Sequence, residues 1–100
     1  MISVDREVFK FINIPKNQPV KFKVKVTNNS DKSISITPWV SCSCTECVPL
    51  KGTLEPSEET HLNIVYTPSD TGLDEKTFGV NFNYKGTNYK TVTTILAKVI

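Results

Sequence analysis

Alternation of apolar and polar residues is the clearest pattern in the chain, and its period is two. Between residues 20 and 26 the apolar members are Val20, Phe22, Val24 and Val26, and the residues between them are Lys21, Lys23 and Lys25. Successive side chains of a β-strand point to opposite faces of the sheet. The pattern therefore predicts a half-buried strand with one aliphatic face and one lysine face, and no stretch of the chain shows helical periodicity.

Five further stretches are rich in β-branched and aromatic residues and are separated by turn-forming residues. They cover residues 8–14, 33–40, 60–67, 75–84 and 89–99. Pro38 predicts that its strand lies at an edge or bends there, because proline cannot donate to a ladder. The last stretch changes phase near Thr93, which predicts a bulge or burial on both faces.

The first of these stretches has two competing inward sets. Phe9 and Phe11 are in one phase, whereas Val8, Ile12 and Ile14 are in the other. Alternation alone does not choose between them, so the face that packs on the core stays open for this strand.

The pattern of elements predicts an all-β fold, an immunoglobulin-like antiparallel β-sandwich of about seven strands. Six long strands and one short strand, with turns every 8 to 12 residues, are typical of such sandwiches. Parallel pairing is not expected, because no crossover helix is present. A chain of 100 residues with 38% apolar residues can bury one core, so we expect a single domain over residues 1–100.

Charge and the start of the chain exclude several classes of protein. The net charge of +2 is too small for a typical nucleic-acid binder, and we expect no nucleic-acid partner. The charges are segregated: residues 1–51 carry a net +4, residues 52–75 a net −6 and residues 76–100 a net +4. Opposed surface patches could serve a head-to-tail lattice contact, although acidic loops beside lysine-bearing strands also explain the segregation.

The first residues contain no signal-peptide pattern, and no window is apolar enough for a membrane span. We therefore expect synthesis in the cytoplasm, no membrane contact and possible export within a larger particle such as a virion.

All three cysteines lie between residues 42 and 47, and His61 is the only histidine. Cys42, Cys44, Cys47 and His61 are weak candidates for zinc ligands, because a second pair of closely spaced ligands is absent. A Cys44–Cys47 disulfide is sterically feasible in an oxidising compartment, whereas a Cys42–Cys44 bridge would close a strained loop. The simplest alternative is that the cysteines act as small buried apolar residues. We expect no catalytic residue and no cofactor, because His61 has no orienting group for a cysteine dyad.

Lys21, Lys23 and Lys25 place three ammonium groups on one strand face, about 7 Å apart. This lysine stripe could bind an anionic protein surface. Such lysines also keep a sheet face soluble and discourage edge pairing, and the outward face lacks the aromatic residues of a nucleic-acid platform.

Residues 41–45, Ser-Cys-Ser-Cys-Thr, resemble the hallmark Ser-Cys-Gly-Cys-Thr turn of a bacterial family of immunoglobulin-like domains of unknown function. That family is allied to the hydin-type and major-sperm-protein sandwiches. Other similar motifs follow in the family's order: residues 24–28, 54–56, 62–66 and 80–83, with Gly72 between the last two. Ser43 stands where the family has its central glycine.

The resemblance implies a non-enzymatic module that binds a protein assembly. Our first functional expectation is an accessory protein of a phage virion that decorates a capsid or tail lattice, by analogy with small sandwiches of this size. The alternatives are a domain of an exported cell-envelope protein that binds protein or glycan, and a cysteine-based metal or redox site.

Overall fold

The computed structural model describes residues 1–100 and contains ten β-strands and no helix. The strands are β1 (Ile2–Val4), β2 (Val8–Ile14), β3 (Val20–Asn28), β4 (Ile34–Val40), β5 (Thr45–Pro49), β6 (Thr53–Leu54), β7 (Glu59–Tyr66), β8 (Gly72–Tyr84), β9 (Thr87–Lys90) and β10 (Thr93–Val99). The count exceeds the expected seven because the sequence pattern did not reveal three short strands, which are β1, β6 and β9.

The strands form two sheets. The four-stranded sheet has the order β1-β3-β7-β5, and the six-stranded sheet has the order β2-β10-β8-β4-β6 with β9 paired to β8. A core of 17 buried apolar side chains fills the space between them. Val24 and Val26 of β3 are fully buried, as the alternation predicted, and the stretch 20–26 is confirmed as a half-buried strand. The all-β sandwich class is thus confirmed.

One strand pair departs from the expected antiparallel arrangement, because β2 and β10 are parallel. A parallel pair needs a long connection between its members. Here the entire chain between residues 14 and 93 makes that connection, so the missing crossover helix did not exclude it. The antiparallel expectation is wrong for this pair and correct for the others.

A bulge in β2 resolves the two competing inward sets. Phe9, Phe11 and Ile14 all contribute to the core or pack against it. Phe11 pairs with Ala97 and Ile14 with Val99, so β2 contains one more residue than β10 in this interval. Asn13 adopts a φ of 56°, which asparagine tolerates better than most residues. The extra residue shifts the phase, and both apparent sets supply inward side chains.

The predicted last strand is broken between β9 and β10, slightly before the predicted phase change. β9 pairs with the C-terminal part of β8 and β10 pairs with its N-terminal part. Thr91, between the two strands, lies over Gly79 and hydrogen-bonds to Val80 through both its amide (2.9 Å) and its hydroxyl (3.0 Å). Trp39 of β4, opposite Gly79, donates its indole N–H to the Thr91 carbonyl (3.0 Å). This Gly79–Thr91 junction holds β8, β9 and β4 together.

The structure contains no helix of the length and hydrophobicity that crossing a lipid bilayer requires.

Pro38 lies on β4 beyond the two residues that pair with β6, so its strand is an edge at that point. The edge predicted from this proline is therefore present.

Candidate functional sites

The cysteine loop, residues 41–44, carries the chain from β4 in the six-stranded sheet to β5 in the four-stranded sheet. Ser41 exchanges two hydrogen bonds with Thr77 of β8, one through its amide (3.0 Å) and one through its hydroxyl (2.9 Å). At the other end, the Thr67 amide donates to the Cys44 carbonyl (2.9 Å). The loop is thereby attached to both sheets.

Cys42 and Cys44 are joined by a disulfide, and Cys47 is free. The Cys44–Cys47 pair, which the sequence left feasible, is therefore not formed, and the bridge joins the two cysteines whose pairing was expected to be strained. Cys47 lies on β5 with its side chain turned into the core, whereas Cys42 and Cys44 are half-buried in the loop outside the ladder. Burial raises the pKa of the Cys47 thiol to about 11, so this cysteine behaves as a small apolar core residue.

The four weak metal candidates do not converge. No group of three or more histidine, cysteine or acidic side chains in the fold could hold a metal ion. His61 is exposed on β7, and Cys47 faces the opposite side of the same sheet. A site that combines Cys42, Cys44, Cys47 and His61 is incompatible with this arrangement.

The lysine stripe lies on the outer face of the four-stranded sheet. Lys21 and Lys23 are exposed, and Lys25 is half-buried beside Glu59, with 3.7 Å between the Nζ and Oε2 atoms. The stripe faces His61, Asn63 and Val65 of the neighbouring strand β7. The structure thus places the three lysines in a row, as expected, but one of them already has an acidic neighbour.

An exposed apolar surface lies on the outer face of the six-stranded sheet and was not found from the sequence. Ile12 of β2 is 76% exposed and Leu73 of β8 is 89% exposed. Together with Leu96 of β10, they line an open hollow of about 530 Å³ on the outer face. We call these three residues the β2 patch. The available sequence signal was Ile12, an isoleucine out of phase with Phe9 and Phe11 in a strand that has only one buried face.

A polar cluster beside the cysteine loop joins the two sheets. Tyr66 of β7 is fully buried, and its hydroxyl donates to Asp74 of β8, whose carboxylate also lies 3.3 Å from the Lys76 ammonium. Burial and the neighbouring carboxylate raise the pKa of Tyr66, which stays neutral. Burial alone would raise the pKa of Asp74, but the bonds from Tyr66 and Lys76 outweigh it and lower that pKa.

Comparison with known proteins agrees with the observed fold. A family model described as "Protein of unknown function (DUF1573)" matches residues 2–99. This match agrees with the resemblance to a family of unknown function, while the hallmark cysteine turn stays a prediction. No curated protein sequence matches the chain.

Solved structures similar to this chain include sandwiches of the PapD-like and MSP kinds. The ASH/PapD-like domain 7 of human CEP192 has a TM-score of 0.77 at 12% identity, covering 99% of this chain and 84% of that one. WR4, an MSP family member of Caenorhabditis elegans, has a TM-score of 0.70 at 14% identity, with 97% of each chain covered. At these identities the likeness concerns the fold alone.

The VesB protease of Vibrio cholerae contains a similar sandwich, with a TM-score of 0.78 at 17% identity. The match covers 97% of this chain but only 31% of the protease. The chain therefore resembles an immunoglobulin-like part of a much larger protein, and the match brings no catalytic residue to it.

Proposed function

The chain belongs to the DUF1573 family, whose function is unknown, and from this premise we propose that it is a non-enzymatic module that binds an extended segment of a partner protein along β2. The single observation that supports this proposal most strongly is the β2 patch beside an open strand edge. Within this proposal, the partner adds a strand to the six-stranded sheet.

The edge of β2 supplies the first half of the binding surface. β2 ends the six-stranded sheet and pairs only with β10, so one side of its backbone has no strand partner. Open edges accept extended peptides, because backbone N–H and C=O groups are available for pairing. The bulge at Asn13 ends the regular part of this edge. The partner strand therefore pairs with residues 8–12.

The β2 patch supplies the second half. A peptide strand lying beside β2 projects alternate side chains over the outer face of the sheet, next to Ile12. An apolar side chain at that position packs against Ile12, which separates it from Leu96 of β10 and Leu73 of β8. Burial of one leucine or isoleucine contributes about 1.5–3 kcal/mol before ordering costs, so the patch can select an apolar residue at one position of the partner.

Peptides selected from a display library of extended sequences provide the test. The protein is compared with three variants: Ile12→Lys, Leu73→Lys and a matched control, Val48→Lys. Val48 is also an exposed apolar residue on an edge strand (57% exposed), but it lies on β5 of the other sheet. We expect Ile12→Lys to weaken binding of the selected peptides at least about tenfold, the equivalent of 1.4 kcal/mol, and Leu73→Lys, two strands further from the edge, to weaken it less. The control should leave binding unchanged.

The expected partner strand also has a structural signature. Amide hydrogen exchange of residues 8–12 should slow on peptide binding. Selected peptides that bind all variants equally, or that protect β5 instead of β2, would contradict the proposal.

The lysine stripe is the second candidate surface, favoured by two lysines, Lys21 and Lys23, that have no acidic partner in the structure. A Lys21→Glu/Lys23→Glu variant belongs in the same assay. Loss of binding in this variant alone would assign the partner to the stripe and refute the β2 proposal. Virion decoration and a role in the cell envelope stay predictions, to which the fold and the comparisons add no support.

A further inference from the structure

We propose that Cys42 and Cys44 form a redox site that exchanges its disulfide with thiols of another protein. This inference does not rest on the partner-binding proposal, because Cys42 and Cys44 are not part of the β2 patch, although Leu73 lines both hollows. It depends on four features of the cysteine loop: the short separation of the two cysteines, the hollow beside Cys42, the isolation of Cys47 and the attachment of the loop.

The separation of the two cysteines argues against a purely structural crosslink. They are two positions apart in sequence. In the chain-entropy description, a crosslink stabilises a fold more when it closes a longer loop. A bridge between residues this close removes little freedom from the unfolded chain, and the sandwich already has a core of 17 apolar side chains. The disulfide is thus dispensable for the fold, and both sulfurs lie in a half-buried surface loop.

The surroundings of Cys42 suit a visiting side chain of a partner protein. Its Sγ accepts a hydrogen bond from the Cys44 amide (3.1 Å). Cys42 also lines a hollow of about 190 Å³ together with Asp70, Asp74 and Lys76. A hollow of this size is below the 300 Å³ or so at which small-molecule sites begin, so it fits one side chain of a protein better than a free cofactor. The Cys44 amide favours a negative sulfur over a neutral thiol, and Lys76, which is paired with Asp74, is the one cation that offsets the carboxylates of Asp70 and Asp74 in this hollow.

The third cysteine is kept out of the exchange. Cys47 is buried in the core on β5, and its pKa of about 11 leaves almost no thiolate at neutral pH. A two-cysteine cycle can therefore proceed without reshuffling to Cys47. The sequence contains no further cysteine that could interfere.

The attachment of the loop keeps the two sulfurs adjacent after reduction. Ser41 stays bonded to Thr77, and the Cys44 carbonyl stays bonded to the Thr67 amide. The Thr45 amide also donates to the Cys42 carbonyl (3.1 Å), which closes a turn around Ser43 without help from the disulfide. Reoxidation is consequently an intramolecular step between groups that are already positioned.

The exchange balances in two steps. A partner thiolate attacks Sγ of Cys42; a partner–Cys42 disulfide forms, the Cys42–Cys44 bond breaks, and Cys44 leaves as a thiolate. A second partner thiolate attacks the mixed disulfide and releases Cys42 as a thiolate. The partner has then lost two electrons and gained a disulfide, the loop holds two thiols, and each released thiolate takes one proton from water. The reverse sequence reduces a partner disulfide.

Trapping of the mixed disulfide tests the site on the whole 100-residue chain. The Cys44→Ser variant retains the Cys42 thiol but cannot release a bound partner by internal attack. We expect it to accumulate mixed disulfides with insulin, whose disulfides serve as the probe, at least tenfold faster than the matched Cys42→Ser variant. A Lys76→Met change in the Cys44→Ser background should slow trapping severalfold. Circular dichroism of each variant establishes that it is folded.

Either of two results would overturn the exchange at Cys42. One is equal trapping by the Cys44→Ser and Cys42→Ser variants, which would remove any special role of Cys42. The other is a native wild-type disulfide that dithiothreitol reduces only after the protein unfolds, as read by alkylation and mass spectrometry. Reaction of the Cys44→Ser variant with oxidised glutathione but not with insulin would refute a protein partner.

Discussion

The Gly79–Thr91 junction makes Gly79→Ala a sharp test of how the two halves of β8 are held. A methyl carbon at residue 79 would lie 2.0 Å from the Thr91 carbonyl oxygen and 2.7 Å from its carbonyl carbon. Ordinary contact begins at 3.4 Å, so the two segments must separate by about 1.4 Å. The φ of Gly79 is not in the left-handed region, so the clash alone causes the damage.

Separation on this scale breaks three hydrogen bonds. They join the Thr91 amide to the Val80 carbonyl, the Val80 amide to the Thr91 hydroxyl, and the Trp39 indole to the Thr91 carbonyl. Each contributes about 0.5–1.5 kcal/mol. Removal of glycine from a strand returns roughly 0.5–1 kcal/mol. We expect a net loss of about 2–3 kcal/mol in the free energy of unfolding, a large part of the 5–15 kcal/mol or so that is usual for a domain.

Urea unfolding, followed by circular dichroism and by the fluorescence of the single tryptophan, measures this loss. Gly52→Ala is the matched control, because a methyl group there meets no atom within 4 Å and its φ is not positive. The control should be neutral or slightly stabilising, by up to about 1 kcal/mol. Equal urea midpoints for the two variants would show that the junction accommodates the methyl group without loss of stability. The argument from the clash would then be wrong.

Two further predictions concern polar groups. Asn28→Ala should destabilise the fold by about 2–4 kcal/mol, as measured by urea unfolding. The fully buried Asn28 side-chain amide donates to the Lys32 and Leu54 carbonyls (2.8 and 2.9 Å), and its loss leaves a buried acceptor unpaired. The exposed neighbour change Asn29→Ala should cost about 1 kcal/mol or less, and a similar loss for both would contradict the burial argument. For Asp74, a folded-state pKa below its ordinary value of 3.8 stabilises the fold above that pH and stops doing so as the pH falls. The stability difference between wild type and Asp74→Asn should therefore shrink from roughly pH 5 to pH 2, and a constant difference would refute the assignment.

Local patterns in the sequence were sufficient for those parts of the fold that depend on neighbouring residues. The alternation in β3 identified a strand and both of its faces, and the turn-forming residues between the stretches marked where strands end. The turn after β3 is closed by the Asn28 side chain, which accepts from the Ser30 amide (2.9 Å). Both signals depend on backbone geometry within a few residues, which is why sequence alone could reveal them.

Features that depend on contacts between residues far apart in the chain could not be predicted from the sequence. Gly79 could be recognised as important only once Thr91, twelve residues later, was seen to lie on it. The β2 bulge needs the register of β10, and the parallel pairing of β2 with β10 joins segments from the two halves of the chain. The Cys42–Cys44 pairing depended on a loop path that brings those two sulfurs together while β5 turns Cys47 inward. In each case the deciding contact is tertiary.

The parallel pairing of β2 and β10 also determines how the domain responds to a stretching force. A stretching force that enters the chain before Val8 and leaves it after Val99 pulls the two strands past each other along their length. The hydrogen bonds that join residues 8–14 of β2 to residues 94–99 of β10 are then loaded together. They do not open one after another, as they would in a hairpin that is pulled apart from its end. Under tension along the chain, this strand pair acts as a clamp that resists extension until several hydrogen bonds yield together.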